Sequence, residues 1–167
     1  GSSFAFTTDR DIFVGTEGAD TFTAAAGTVA VGDAVVDVTS GDGDVLNMTL
    51  TAVNGAASVS GVEMVNVTWD AFTAASVDAT NISGATINIA TSKAIFTTGT
   101  TVTAVGDNNV SLDDVMTGTL TANGVGSSSI DAGAHTVATV TAVADEAIAA
   151  NITAASATTV NVNGNTA

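Results

Sequence analysis

The feature that most constrains the fold is an internal rhythm. From the middle of the chain onward, a short motif (an apolar residue, a polar one, then an apolar or small one) begins at Val65, Val77, Ile87, Val102, Val110, Leu120, Ile130, Val140, Ile152 and Val160. The nine steps between these positions cover 95 residues, about 10.6 each, which chance alternation would rarely sustain. Each repeat has room for one short strand and a turn of Gly, Asn, Asp, Ser or Ala, and none for a crossover helix.

Strands this short and this alike either pair as antiparallel hairpins, as in a β-sandwich, or coil into a parallel β-solenoid. Three features favour the solenoid. Asn-Gly turns between plausible strands occur only in "VNGAA" and "TANGVG", whereas hairpin meanders advertise their turns more often. Inward positions carry Ala, Val and Ile rather than aromatic residues, which make up only 4% of the chain, so the core must be narrow. Thr, Asn and Ser recur at similar places in strand after strand, as stacked ladders require. The absence of Pro agrees, because every turn of a solenoid donates backbone hydrogen bonds to the next.

The expected fold is therefore all-β: a parallel β-solenoid, or β-helix, of short strands repeating about every ten residues, with a β-sandwich as the alternative. Residues 1–167 read as a single domain, of which 1–61, looser in rhythm, form a calcium-binding cap or the first rungs. The Ala-rich stretch Thr141 to Ala155 has room for a helical turn, but "NITAAS" rejoins the repeat and strand and loop are expected there.

Seventeen acidic residues face two basic ones, Arg10 and Lys93, giving a net charge of −15. Phosphate contacts dominate nucleic-acid affinity, so nucleic acid and anionic membranes are poor partners for this chain. The absence of Cys removes disulfides and thiolate sites. No apolar run reaches the roughly 18 residues of a spanning helix, so no membrane insertion is expected. The opening "GSSFAFTTDRD" lacks a basic, then apolar, leader pattern, and Gly1-Ser2-Ser3 reads as a cloning scar or an internal cut.

The sharpest local motif is "GTEGADTFT", Gly15 to Thr23, which aligns with the calcium-binding nonapeptide G-G-x-G-x-D-x-U-x at Gly15, Gly18, Asp20 and Phe22, with Thr16 in place of the second Gly. Its glycines permit a tight turn with carbonyls facing an ion, Asp20 supplies a carboxylate, Glu17 can add another, and Ca²⁺ takes six to eight oxygens. A weaker copy, "SGDGDVLNM", repeats the D-x-U step at Asp44, Val45 and Leu46 and adds Asp42. The competing reading is a pair of ordinary Gly-Asp turns. Asp9 with Asp11, Asp33 with Asp37, Asp107, and Asp113 with Asp114 each read as solvated turns or caps.

No catalytic constellation declares itself. His135 is the only histidine, no Ser, His and acid set is evident, and the paired carboxylates Asp113 and Asp114 are adjacent only in sequence, so no enzyme activity is expected. Trp69 and Phe72 offer either an aromatic platform for a sugar or core residues. The sequons at Asn47, Asn66, Asn81, Asn109 and Asn151 mostly sit within alternating strands, where stacking explains them more simply than glycans.

Three segments together, "DIFVGTEGADTFTAAAG" (Asp11 to Gly27), "SGDGDVLNMTLT" (Ser40 to Thr51) and "VSGVEMVNVT" (Val59 to Thr68), resemble the RTX-associated, type I-secreted surface-layer (S-layer) proteins and large adhesins of bacteria. The resemblance implies a secreted structural protein of the bacterial cell surface. In it Ca²⁺ rigidifies the solenoid and drives self-assembly into a lattice or filament, with cell-surface polysaccharide as a further partner. Carried over by position, the ion falls first to Gly15, Glu17, Gly18 and Asp20, then to Asp42 and Asp44. A glycan-binding adhesin module and a carbohydrate-active β-helix enzyme are the competing readings.

Overall fold

Side chains alternate between core and surface along each strand, with the period of two that an extended backbone imposes. In Val45–Leu50 the side chains of Leu46, Met48 and Leu50 are buried, while Val45, Asn47 and Thr49 are only half-buried. In the computed structural model these strands coil into a parallel β-solenoid. The structure describes residues 1–54, 57–73 and 75–90 in full. Beyond them it describes, as strand backbone, Thr91 and residues 100–103, 109–112, 119–123, 129–131, 137–144, 151–153 and 159–166.

Three parallel sheets form the sides of the coil. Sheet A stacks β1 (Ser3–Ala5), β3 (Thr21–Ala24), β5 (Val45–Leu50), β7 (Met64–Trp69), β9 (Thr86–Thr91), β11 (Asn109–Leu112), β13 (Ser129–Asp131) and β15 (Asn151–Thr153). Sheet B stacks β2 (Ile12–Val14), β4 (Ala34–Val36) and β6 (Ser58–Ser60), and a bridge from Val59 to Ile82 extends it by one turn. Sheet C runs through β8 (Ala75–Asp78), β10 (Thr100–Thr103), β12 (Thr119–Asn123), β14 (Val137–Ala144) and β16 (Thr159–Thr166). The fourth turn visits all three sides in the order A, C, B, which shows how the coil changes partner: early turns use A and B, later ones A and C. All these pairs are parallel, which excludes the antiparallel sandwich.

The ten-residue rhythm is half a turn. In sheet A one register column runs Phe4, Phe22, Leu46, Val65, Ile87, Val110, Ile130, Ile152, each paired with the next. Seven steps carry the chain 148 residues, about 21 per turn, so each turn spends two repeats, one on each of two sides. Sheet C keeps Val77 beside Val102 but then sets Leu120 beside Thr100, an even offset that leaves residues of the same parity in line.

The aromatic residues depart from the expectation that the core excludes them. Phe4, Phe6, Phe13 and Phe22 fill the first two turns, with Phe4 stacked on Phe22 at 4.9 Å and Phe6 edge-on to Phe13 at 5.1 Å. Trp69 is buried above Leu50, and its indole N–H donates to the Thr73 carbonyl at 2.8 Å. Among the described residues the core of the fourth turn, apart from Trp69, is built of Val, Ile and Ala: Val65, Val67, Ala75, Val77, Ala79 and Ile82.

The polar columns form the expected ladders. Asn66 Nδ2 donates to Asn47 Oδ1 at 3.0 Å and Asn88 Nδ2 to Asn66 Oδ1 at 2.9 Å, on the half-buried outer face of sheet A. Asn66→Ala removes both bonds and is expected to cost about 1–2 kcal/mol of unfolding free energy, read from the urea midpoint. Asp107, Asp113, Asp114, His135 and Lys93 lie outside the described residues, as do positions 145–150 of the Ala-rich stretch, whose residues 141–144 and 151–153 are strand. Among the described residues no helix is long and apolar enough to cross a membrane.

Candidate metal centre

The chain returns from sheet B to sheet A through three corners stacked on one another, residues 15–20, 37–44 and 61–63. Ser2, Asp20, Asp44 and Glu63 each stand one residue before a sheet A strand and so fall in one column. A parallel ladder needs partners for the N–H groups at this margin, and side chains of the column supply them. Asp20 Oδ1 accepts the N–H of Ser2. Asp44 Oδ1 accepts the N–H of Asp20 at 2.7 Å, and Glu63 Oε2 that of Asp44 at 2.8 Å.

Asp37 reaches the same corner from the other side. It follows β4 directly, between Gly15 of the turn below, whose N–H donates to Val36 O at 2.9 Å, and the Ser60–Gly61 segment above, where its own N–H donates to Ser60 O at 2.9 Å. Both glycines leave room for Asp37, Gly15 for its carboxylate and Gly61 for its backbone. A β-carbon on Gly15 would overlap Asp37 Oδ2 and lie 2.9 Å from Asp20 Oδ2. Gly61 has φ +78°, and a β-carbon there would overlap the Asp37 carbonyl oxygen.

The result is a buried acidic triad. One carboxylate oxygen from each of Asp20, Asp37 and Asp44 lies within 4.8 Å of the others, and the three residues are 1%, 7% and 0% exposed. Asp20 also accepts the Thr16 N–H on Oδ2 and the Thr16 hydroxyl on Oδ1, three hydrogen bonds in all, which leaves Oδ2 a lone-pair direction for an ion. Asp37 Oδ1 accepts from the N–H and the hydroxyl of Thr39, both at 2.6 Å. Asp37 Oδ2 and Asp44 Oδ2 are buried with no hydrogen-bond partner. Unpaired buried anionic oxygens are costly, and a cation between them removes that cost. Oxygens on opposite sides of one Ca²⁺ stand about 4.6–5.2 Å apart, so the spacing of the triad suits a hard, oxygen-seeking dication.

A second acidic group adjoins the first. Asp42, Asp44 and Glu63 also present oxygens within 4.8 Å of one another. Glu63 Oε1 accepts the N–H of Gly41 at 2.7 Å, and Asp42 Oδ2 lies 3.0 Å from the Thr39 hydroxyl, whose one proton Asp37 Oδ1 and Thr16 O also compete for.

Electrostatics separate these carboxylates. Burial, reinforced by the charges of Asp37, Asp42 and Asp20, pushes Asp44 up to about 6 from 3.8. Burial acts in the same direction on Asp20 and Glu63, but is outweighed: Thr16 and Ser2 hold Asp20 below its ordinary value, and the N–H groups of Gly41 and Asp44 do the same for Glu63. Folded Asp44 binds its proton more tightly than the unfolded chain does, so its contribution to stability is full below about pH 4 and is lost as pH rises through about 6. Asp20 and Glu63 contribute the opposite dependence, present above their unfolded values and lost in stronger acid. The metal-free protein is thus expected to show a urea midpoint that falls between about pH 4.5 and pH 7. With calcium present that fall should vanish.

Of the residues singled out in the sequence, Gly15, Asp20 and Asp44 come together at the triad, and Asp42 lies in the adjoining group. Gly18 lies near the N-terminal Gly1, and Glu17 is exposed and belongs to neither group. Sequence reasoning read Asp37 as a solvated turn or cap, whereas it is buried in the triad, and did not single out Glu63. Asp33 is a cap, as expected, accepting the N–H of Asp11 at 2.9 Å and of Ala30 at 2.7 Å, although it is buried rather than solvated. Trp69 is core while Phe72 is 62% exposed, so these two residues do not form one exposed aromatic platform. No protein-family model matches the chain, and no curated protein or solved structure matches it.

Proposed function

We propose that this chain is a structural module of a bacterial cell-surface layer or filament, secreted and non-catalytic, whose solenoid is stiffened by calcium bound at Asp20, Asp37 and Asp44. The observation that carries the reading is the pair of buried, unpartnered oxygens Asp37 Oδ2 and Asp44 Oδ2 beside Asp20. The ligands come from two successive corners, so an ion there ties one turn of the coil to the next. Its chemical effect is on the stack.

Assembly follows from the same physics. A parallel solenoid presents strand margins able to pair with another copy, and a charge of −15 opposes that approach until a divalent ion reduces it. The resemblance of Asp11 to Thr68 to secreted surface-layer proteins and adhesins points the same way.

Light scattering of the purified chain during a calcium titration tests this, with magnesium as control and circular dichroism on the same samples. The expected result is calcium-specific growth of ordered, strand-rich oligomers. A protein that binds calcium yet stays monomeric would overturn the assembly reading and favour a glycan-binding adhesin module.

A further inference from the structure

We propose that Asp44 bridges two divalent cations, one held with Asp20 and Asp37 and a second held with Asp42 and Glu63. The proposal rests on the calcium reading of the triad and extends it to a neighbouring site.

Three observations carry it. First, Asp44 belongs to both acidic groups, is fully buried, and keeps Oδ2 without a hydrogen-bond partner. Second, Asp42 is only half-buried, yet its Oδ1 is an enclosed atom without a partner, while its Oδ2 is turned to Thr39. An exposed acid placed only for solubility would turn its free oxygen outward. Third, Glu63 accepts N–H groups from Gly41 at 2.7 Å, Gly43 at 3.3 Å and Asp44 at 2.8 Å, which fix its carboxylate. A carboxylate offers about four lone-pair directions, so one remains for an ion.

Charge supports the count. The five carboxylates of the two groups carry −5 when ionised, and one dication would leave −3 in a largely buried corner; two leave −1. Carboxylate-bridged ion pairs elsewhere sit about 3.5–4 Å apart, within the span that one Asp can bridge. Thr39 couples the two sites, since its hydroxyl lies 2.6 Å from Asp37 Oδ1 and 3.0 Å from Asp42 Oδ2.

The test is calcium stoichiometry on the full, chelator-stripped chain, by native mass spectrometry and titration calorimetry with calcium chloride alone. The parent is expected to bind two ions and Asp42→Asn one. Asp37→Asn is also expected to bind one, and Asp44→Asn to lose at least tenfold in affinity for both. Asp42 makes a single side-chain hydrogen bond among those described, and circular dichroism verifies that each variant retains its strands. Glu63→Gln serves as the second variant against the Asp42 site. A parent that binds one ion, unchanged in Asp42→Asn and Glu63→Gln, would overturn the bridge while leaving the triad intact. A parent that binds none would overturn both.

Discussion

Calcium at a thousandfold excess over its dissociation constant is expected to stabilise the chelated protein by about 4 kcal/mol. For a chain of 167 residues this is a rise in Tm of about 8–16 °C, at about 2–4 °C per kcal/mol. The size follows from where the ligands stand. Asp20 precedes β3, Asp37 follows β4 and Asp44 precedes β5, so an ion there is lost whenever any of the three strands detaches. The unfolded chain holds the same carboxylates 24 residues apart at the extremes and cannot assemble them without closing those loops. Differential scanning calorimetry with and without a chelator measures the shift. A change under 1–2 °C, or an equal change with magnesium, would contradict the account.

The second large effect is a reversal of sign at Asp37. Asp37→Asn keeps the Oδ1 that accepts from Thr39 and replaces the unpartnered Oδ2 by an uncharged amide of the same shape. In the absence of divalent ions it removes one of three like charges buried together, and the variant is expected to melt above the parent. In excess calcium it has lost a ligand, and the roughly 4 kcal/mol that the triad ion supplies should largely disappear, whatever the adjoining site still binds. The two melting curves therefore cross. An Asp37 that was only a turn cap would give a variant displaced in the same direction under both conditions. At Gly15, where a β-carbon would overlap Asp37 Oδ2, Ala is expected to act on the calcium-bound form as Asp37→Asn does.

The sequence made the fold legible because the solenoid stacks like on like. Val65, Ile87, Val110, Ile130 and Ile152, found by spacing alone, are one uninterrupted column of sheet A. Strand count per turn was not legible, because a half-turn of about ten residues and a full turn of that length leave the same periodicity. Phe4, Phe6, Phe13 and Phe22 were hard to place for a different reason: they lie ahead of Val65, where the regular repeat begins.

The metal centre was half legible. Asp20 and Asp44 share a local grammar, an acid two residues before an inward apolar residue, and the register places Phe22 beside Leu46 as that grammar implies. Glu63 before Val65 obeys the same rule and is paired into the same column, but it looked like part of an alternating strand. Comparing the residue just before each strand across turns would have found it. Asp37 had no such signal: it follows a strand of a different sheet and reaches the triad where Gly15 below and Gly61 above leave room for it.

The claim on which the rest depends is that a cation occupies the space between Asp20, Asp37 and Asp44. Anomalous diffraction from crystals grown in calcium tests it most directly. The account predicts an anomalous peak with carboxylate oxygens of all three residues at about 2.3–2.6 Å. Ordered water bridging Asp37 Oδ2 and Asp44 Oδ2, with no anomalous signal at the triad in saturating calcium, would contradict it.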